Sequence, residues 1–357
     1  MAQRNKKSAK CKTLVLAEDR VFVGLDVHKQ SYHAAVRVNG AEVRTTVLTP
    51  TAGKVLGFLE PYRAARLQVV YEAGPTGFGL ARALREAGVE TDVIAPNKTP
   101  QMPGATNKTD RLDCRRLALY AEKGLLRTLA VPTVREEADR QLIRLRDQVV
   151  DARRRVKQQI KSFLLQHGLA EPRGLKDWSK ESVLALETMT LEATLRFCLD
   201  QALLTLAHLE EELGQVNHAI ENLSQEPRHA PALARLKQPN VVGVLTAMQY
   251  RLEMFQAGRF ANERQVAAYL GLAPRVSQSG DRQHTGPLLK AGRGRLRAML
   301  IEAAWRWIRG DEAARQVYRR LLRNTGHPNK AITGVARRLA IRMWRSLVPL
   351  EARGRAA

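Results

Sequence analysis

The chain has little cysteine, few acids relative to bases, and no long apolar run. Its three cysteines, Cys11, Cys114 and Cys198, are scattered over 357 residues. Such spacing excludes a Cys-rich zinc site and suits a reducing cytoplasm. The lack of a long apolar run argues against a membrane as the partner. The opening MAQRNKKSAKCKTLVLAEDR is basic but has no apolar core, so it is not expected to act as a secretory signal. Asp and Glu number 35 against 59 Lys and Arg, which leaves a formal charge of +24 and a pI near 10.6. That excess points to a polyanionic partner, nucleic acid above all, rather than to a merely soluble basic protein.

The N-terminal third alternates strand and helix patterns. VFVGLDV (21–27), YHAAVRV (32–38) and VRTTVLT (43–49) read as three antiparallel strands, the last two joined by the turn-like NGAE. AGKVLGFLEPYRAA (52–65) has helical spacing, RLQVVYEAG (66–74) reads as a strand, FGLARALREAG (78–88) as a helix stopped by Gly88, and ETDVIAP (90–96) as a strand stopped by Pro96. A helix beginning near NKTDRLDCRRLALYAEKG (107–124) follows. The order β-β-β-α-β-α-β-α predicts a mixed α/β domain over about 18–128.

The middle changes character. Positions Leu142, Leu145, Val149, Ala152, Val156, Gln159 (the one polar member) and Phe163, and then Leu199, Ala202, Leu206, Leu209, Leu213, Val216, Ile220 and Leu223, alternate spacings of three and four. They predict a helical coiled coil over about 131–225, either an antiparallel hairpin or an arm that joins protomers. HGLAEPRG (167–174) breaks the first helix. A third, all-α part is expected over about 226–350. Residues 275–357 hold 19 Lys and Arg against 5 Asp and Glu, dense enough to favour phosphate contact. Trp305, Trp307 and Trp344 in that part are read as core rather than as stacking platforms.

Four acids stand out against this basic background. Asp110 and Asp113 are three apart on a helix and so share a face, flanked by Lys108, Arg111, Arg115 and Arg116. Taken alone, the pair reads as a solvated one bridged by arginines. Asp26, however, lies inside an apolar strand, where a lone charge is costly to bury, and Glu72 ends another. Functional residues gather at strand ends in parallel-containing sheets. If the first and fourth strands are neighbours, the four carboxylates converge. They then need a divalent cation to coexist, and hard oxygen donors select magnesium or manganese. Two such ions can clamp both oxygens of a phosphodiester exchange. In that reading the bases hold the nucleic-acid backbone and the acids hold the metal.

The strand order and the pattern Asp26, Glu72, Asp110-x-x-Asp113 resemble the α/β ribonuclease H-like superfamily, in particular its RuvC-like branch. The words GLDVHK, YEAGPTG and NKTDRLDCRRLA, in that order, resemble the DEDD transposases of bacterial insertion sequences, insertion-sequence family 110. The run YLGLAPRVSQSGDRQHTGPLLKAGRGRLRAMLIEAAW (269–305) is similar to the second signature of the same family. On its own it reads as a Gly-, Pro- and Ser-rich loop between two helices. Its Lys290, Arg293, Arg295 and Arg297 supply charge, and Ser277 or Ser279 is a nucleophile only if a base or cation activates it. QPNVVGVLTA (238–247) resembles the family's helix-hairpin-helix entry, with Asn240 and Val241 where the family has Pro-Gly.

The resemblance, over about 21–350, implies a DNA transposase acting in the bacterial cytoplasm, at the nucleoid. It implies that Ser279, with Ser277 as the fallback, forms a phosphoserine intermediate, and that Asp26, Glu72, Asp110 and Asp113 bind Mg2+ or Mn2+. Lys108, Arg111, Lys290, Arg293, Arg295 and Arg297 are the expected nucleic-acid contacts. Expected partners are donor and target DNA, a structured noncoding guide RNA, and further copies of the chain, as a dimer or as a tetramer on DNA. The competing readings are a metal-dependent junction resolvase with no covalent step and a non-enzymatic nucleic-acid scaffold.

Overall fold

The computed structural model describes residues 15–96, 110–238, 241–279, 282–289, 292 and 294–354. They form two compact units, Met1–Val134 and Arg135–Ala357.

The first unit is built on a sheet of order β3-β2-β1-β4-β5-β6. Its strands are β1 (Arg20–Val27), β2 (Tyr32–Val38), β3 (Ala41–Leu48), β4 (Arg66–Glu72), β5 (Glu90–Ile94) and the two-residue β6 (Thr128–Leu129). β1 runs antiparallel to β2 and parallel to β4. Its core is apolar on both faces because both are covered. Val21, Val23 and Leu25 pack on one side with Val55, Phe58 and Leu59 of α1 (Ala52–Leu59) and with Ala81 and Leu84 of α2 (Gly79–Glu86). On the other side Phe22 packs with Val70, Ile94, and Leu117 and Ala121 of α3 (Asp110–Glu122). The order and directions fit the RuvC-like expectation. β6 has no signature in the sequence because two residues carry no periodicity.

The second unit is helical. α4 (Val134–Gln166) and α6 (Ala193–Gln225) are each 33 residues long, with α5 (Lys180–Glu187) in the connection. Val156, Ile160 and Leu164 of α4 pack with Leu199, Leu203 and Leu206 of α6, and Leu175 and Leu186 close the end of this hairpin. At the other end Ile143, Val216, Ile220 and Leu223 enter one core with the helices that follow. These are α7 (Ala230–Leu236), α8 (Val244–Met254), α9 (Glu263–Tyr269), α10 (Gly294–Gly310), α11 (Glu312–Thr325) and α12 (Pro328–Gly354). Trp305, Trp307 and Trp344 pack against that core, as the sequence indicates, but each stays partly exposed, and Trp307 also lines a surface groove.

A buried ionic group ties the base of the hairpin. Asp139 of α4 and His229, which precedes α7, are almost fully buried, and Arg228 clasps Asp139 through both carboxylate oxygens, one of them at 3.0 Å. His229 Nε2 lies 3.1 Å from the same carboxylate, and burial lowers the imidazole pKa. Removing one member of such a group costs about 3–5 kcal/mol, because the other charge is left buried and unpaired.

Two expectations need correction. The 199–223 stripe is not a free protomer-joining face: Leu199, Leu206, Leu213, Val216, Ile220 and Leu223 are all buried within the single chain. The 269–305 run is not a plain loop between helices. It contains a ribbon of β7 (Pro274–Ser279) and β8 (Arg282–Leu288). Its two strands, PRVSQS and RQHTGPL, lack the apolar alternation by which strands are recognised.

Leu206→Glu combined with Leu213→Glu is therefore expected to unfold the helical unit, since each buries an unpaired charge at a cost on the order of 3–5 kcal/mol. Far-ultraviolet circular dichroism should show lost helicity and no cooperative melt. A folded double variant altered only in oligomeric state would place the stripe against a second chain instead.

Candidate active site

The parallel register of β1 and β4 runs from Arg20↔Arg66 to Leu25↔Tyr71. Asp26 and Glu72 are the next residues on the two strands, at neighbouring carboxyl ends. Alternation along a strand puts Phe22, Gly24 and Asp26 on one face, and Val70 and Glu72 on the same face of β4. That is the face α3 covers. Asp26 is one-fifth exposed, and its carboxylate lies 3.0 Å from His28 Nε2.

α3 lies unusually close to β1. A Cβ on Gly24 would sit 2.1 Å from the Cys114 carbonyl oxygen and 2.5 Å from the Ala118 nitrogen. Only glycine permits this approach, and it brings the start of α3, with Asp113, over the Asp26 end of the strand. Burial, reinforced by the charge of Asp26, pushes the adjacent Cys114 thiol up to about 11. Asp113 is partly exposed and pairs with Arg116 at 3.8 Å. The far end of α3 is pinned by Glu122, which accepts from Arg37 Nε at 2.9 Å and from the Gly40 amide at 2.6 Å. Arg115 reaches Glu42 at 2.8 Å.

For Asp110 and Arg111 only the backbone is described, and Lys108 lies outside the described residues. Among the described residues no three His, Cys, Asp or Glu side chains form a group able to hold a metal. Asp26, Glu72 and Asp113 are oxygen donors of the kind a hard divalent cation takes, but the structure does not draw them into one group. Two carboxylates end adjacent strands on one face, a third is carried on the helix above, and the nearby thiol stays protonated.

Ser279 ends β7 and pairs with Arg282 across the ribbon, while Ser277 pairs with His284. Backbone alone is described for these four residues, and residues 280–281 at the tip, Lys290 and Arg293 lie outside the described residues. The ribbon's return is anchored by Gly292, at φ +65°, where a Cβ would meet the Tyr269 carbonyl oxygen at 2.2 Å. Arg295 is already engaged by acids: its Nε lies 3.3 Å from Asp147 Oδ1, and its Nη2 pairs with Asp151. It braces α10 against α4, so its expected phosphate contact competes with two carboxylates. Arg297, one half-turn on, is partly exposed.

Two family models match the chain. One, for DEDD transposases of the IS110 type, covers residues 23–168; the other, described as the transposase IS116/IS110/IS902 family, covers residues 233–319. The y4qE protein of Sinorhizobium fredii, which bears a transposase name, is 32% identical over 289 residues, 80% of this chain and 71% of that protein. The chain belongs to the IS110 family of DEDD transposases. The y4rJ protein of the same organism is 30% identical over 326 residues, 82% of each chain. The transposase for insertion sequence element IS1111A of Coxiella burnetii is 25% identical over 275 residues, 76% of this chain and 74% of that one.

As an insertion-sequence transposase, the protein is a DNA-recombining enzyme, and the DEDD type implies use of a divalent metal. Among the described residues no helix is long and apolar enough to cross a membrane. Sequence reasoning passes over Gly24, although a glycine inside an apolar strand is the usual mark of a close backbone approach.

Gly24→Ala should lift α3 from β1, and overpacking of this kind costs about 1–3 kcal/mol. Cys114 is fully buried and Cys198 exposed. In the native protein a maleimide should label Cys198 and spare Cys114. In Gly24→Ala, peptide mapping should find Cys114 labelled and transposition reduced at least tenfold. Unchanged protection of Cys114 would show that α3 does not depend on this glycine.

Proposed function

We propose that this transposase cuts and rejoins DNA through a phosphoserine intermediate at Ser279, with Asp26, Glu72, Asp110 and Asp113 as the acidic site. The observation that carries the acidic half is the strand register: Asp26 and Glu72 end neighbouring parallel strands on the face closed by α3. The serine half is supported by the position of Ser279 at the end of β7, inside the segment that matches the second family model. A magnesium or manganese ion held by the carboxylates would supply the positive charge that lets them coexist beside phosphodiester oxygens.

In this reading the Ser279 Oγ forms a bond to phosphorus and one phosphorus–oxygen bond to deoxyribose breaks. The serine proton is lost and the released sugar oxygen takes up a proton. One phosphodiester replaces another, so rejoining needs no outside energy source. Activation of Ser279 is assigned to cations of the Lys290–Arg297 cluster rather than to a Ser-His-Asp set. Sequence specificity is assigned to a structured guide RNA that pairs with donor and target DNA, while the protein supplies shape and charge. The enzyme acts as a homo-oligomer, joined through surfaces other than the buried 199–223 stripe. Its three functional parts are the RuvC-like domain (18–128), the helical arm (131–225) and the serine-bearing domain (226–350).

Asp26→Asn should abolish strand exchange with magnesium and leave nucleic-acid affinity within about threefold, because affinity rests on Lys and Arg. Normal recombination by Asp26→Asn would remove the acidic site from the mechanism. Ser279→Ala should lose both cleavage and the covalent protein–DNA adduct trapped in denaturing gels, while binding persists. A Ser279→Ala protein that still cuts without adduct would favour a resolvase-type reaction. An inactive Ser277→Ala beside an active Ser279→Ala would move the nucleophile two residues back.

A further inference from the structure

In the second unit a groove of about 690 Å³ runs between α11 and α12. Its floor is apolar: Ala313, Val317 and Leu321 of α11 face Gly334 and Ile341 of α12. Gly334 makes the groove floor close-packed, since a Cβ there would meet Leu321 Cδ1 at 2.7 Å. Its rim is basic. Arg338, Arg342 and Arg345 succeed one another on one stripe of α12 and are exposed, and Arg337 lies beside them. Glu263 is the one acid in the lining, and it is paired with Arg345. Trp307 of α10 forms part of the wall. Its indole nitrogen donates to Asp311 at 3.1 Å, which fixes the ring, and the Arg342 guanidinium stands 5.9 Å from the ring centroid.

We propose that this groove binds a single strand of DNA, with phosphates on the α12 arginines and an unpaired base against Trp307 and the apolar floor. Four cations against two acids, Glu263 paired with Arg345 and Asp311 beside Trp307 and Arg342, leave a positive excess that selects a polyanion. The apolar floor then distinguishes a strand with exposed bases from a duplex, whose bases are stacked inside. A groove tracking the backbone with an aromatic for stacking is how single strands are held without sequence preference. Two helices in direct contact lie about 8–10 Å apart, too narrow a cleft for a duplex to enter. The volume falls in the range that holds ligands of about nucleotide size. Strand exchange by single-strand cuts frees a strand between cutting and rejoining, and the substrate then supplies the occupant. The inference rests on membership of the transposase family and is independent of Ser279 and of the acidic site.

The test uses the full-length protein and fluorescein-labelled oligonucleotides of one sequence as single-stranded DNA, duplex DNA and RNA, followed by anisotropy at several salt concentrations. Arg338→Gln with Arg342→Gln should weaken single-stranded DNA binding at least tenfold and flatten its salt dependence by about 0.7 for each phosphate no longer held. Duplex affinity should change less than threefold. In the unmodified protein, single-stranded DNA carrying 5-iododeoxyuridine should photocrosslink to the peptide that contains Trp307, a result that needs no variant to fold. Equal weakening of single strand and duplex, tighter capture of the RNA strand, or crosslinks only outside α10–α12 would each overturn the proposal.

Discussion

The contact between Gly24 and the backbone of α3 is the constraint on which the proposed acidic site depends. A carboxylate in a buried strand is tolerable only if something of opposite charge or good hydrogen-bonding capacity reaches it. The absence of a side chain at Gly24 lets a whole helix turn settle on β1, and the first turn of that helix carries two more acids. The same approach buries Cys114, while Arg37 and Arg115 hold the helix across the antiparallel half of the sheet. The closeness of α3 to β1 is therefore set by one missing methyl group.

The helical unit is organised by a different requirement. Two helices of 33 residues cannot be held by propensity alone and need an apolar seam along their length. That seam is supplied within the chain, and at its base it merges with the core of the helices that follow. The Asp139–Arg228–His229 group marks the junction. Its geometry fixes how α4 meets the start of α7, a task for which apolar contacts are too undirected.

Most of the first unit is legible in the sequence because its strands are long, apolar and bounded by turn residues. The β1–β4 adjacency can only be posed as a condition there, since parallel pairing depends on crossover connections rather than on local pattern. The heptad stripes announce two long helices, yet a stripe has the same spacing whether its partner is in the same chain or another. The β7–β8 ribbon escapes notice because PRVSQS and RQHTGPL carry no apolar alternation. Arg295 is expected to contact phosphate, since composition counts a cation without showing the carboxylates already around it. The α12 arginines register only as part of a charge excess, because their alignment over an apolar floor depends on where α11 packs.

The Arg295 brace gives the long hairpin a mechanical meaning. α10 begins just beyond the serine ribbon and is clamped by Asp147 and Asp151 to α4, the first limb of the arm. The two ion pairs therefore fix the start of α10 against that limb. Because the coupling is ionic and partly exposed, its stiffness falls as salt rises, as does the grip of any basic surface on a phosphate backbone.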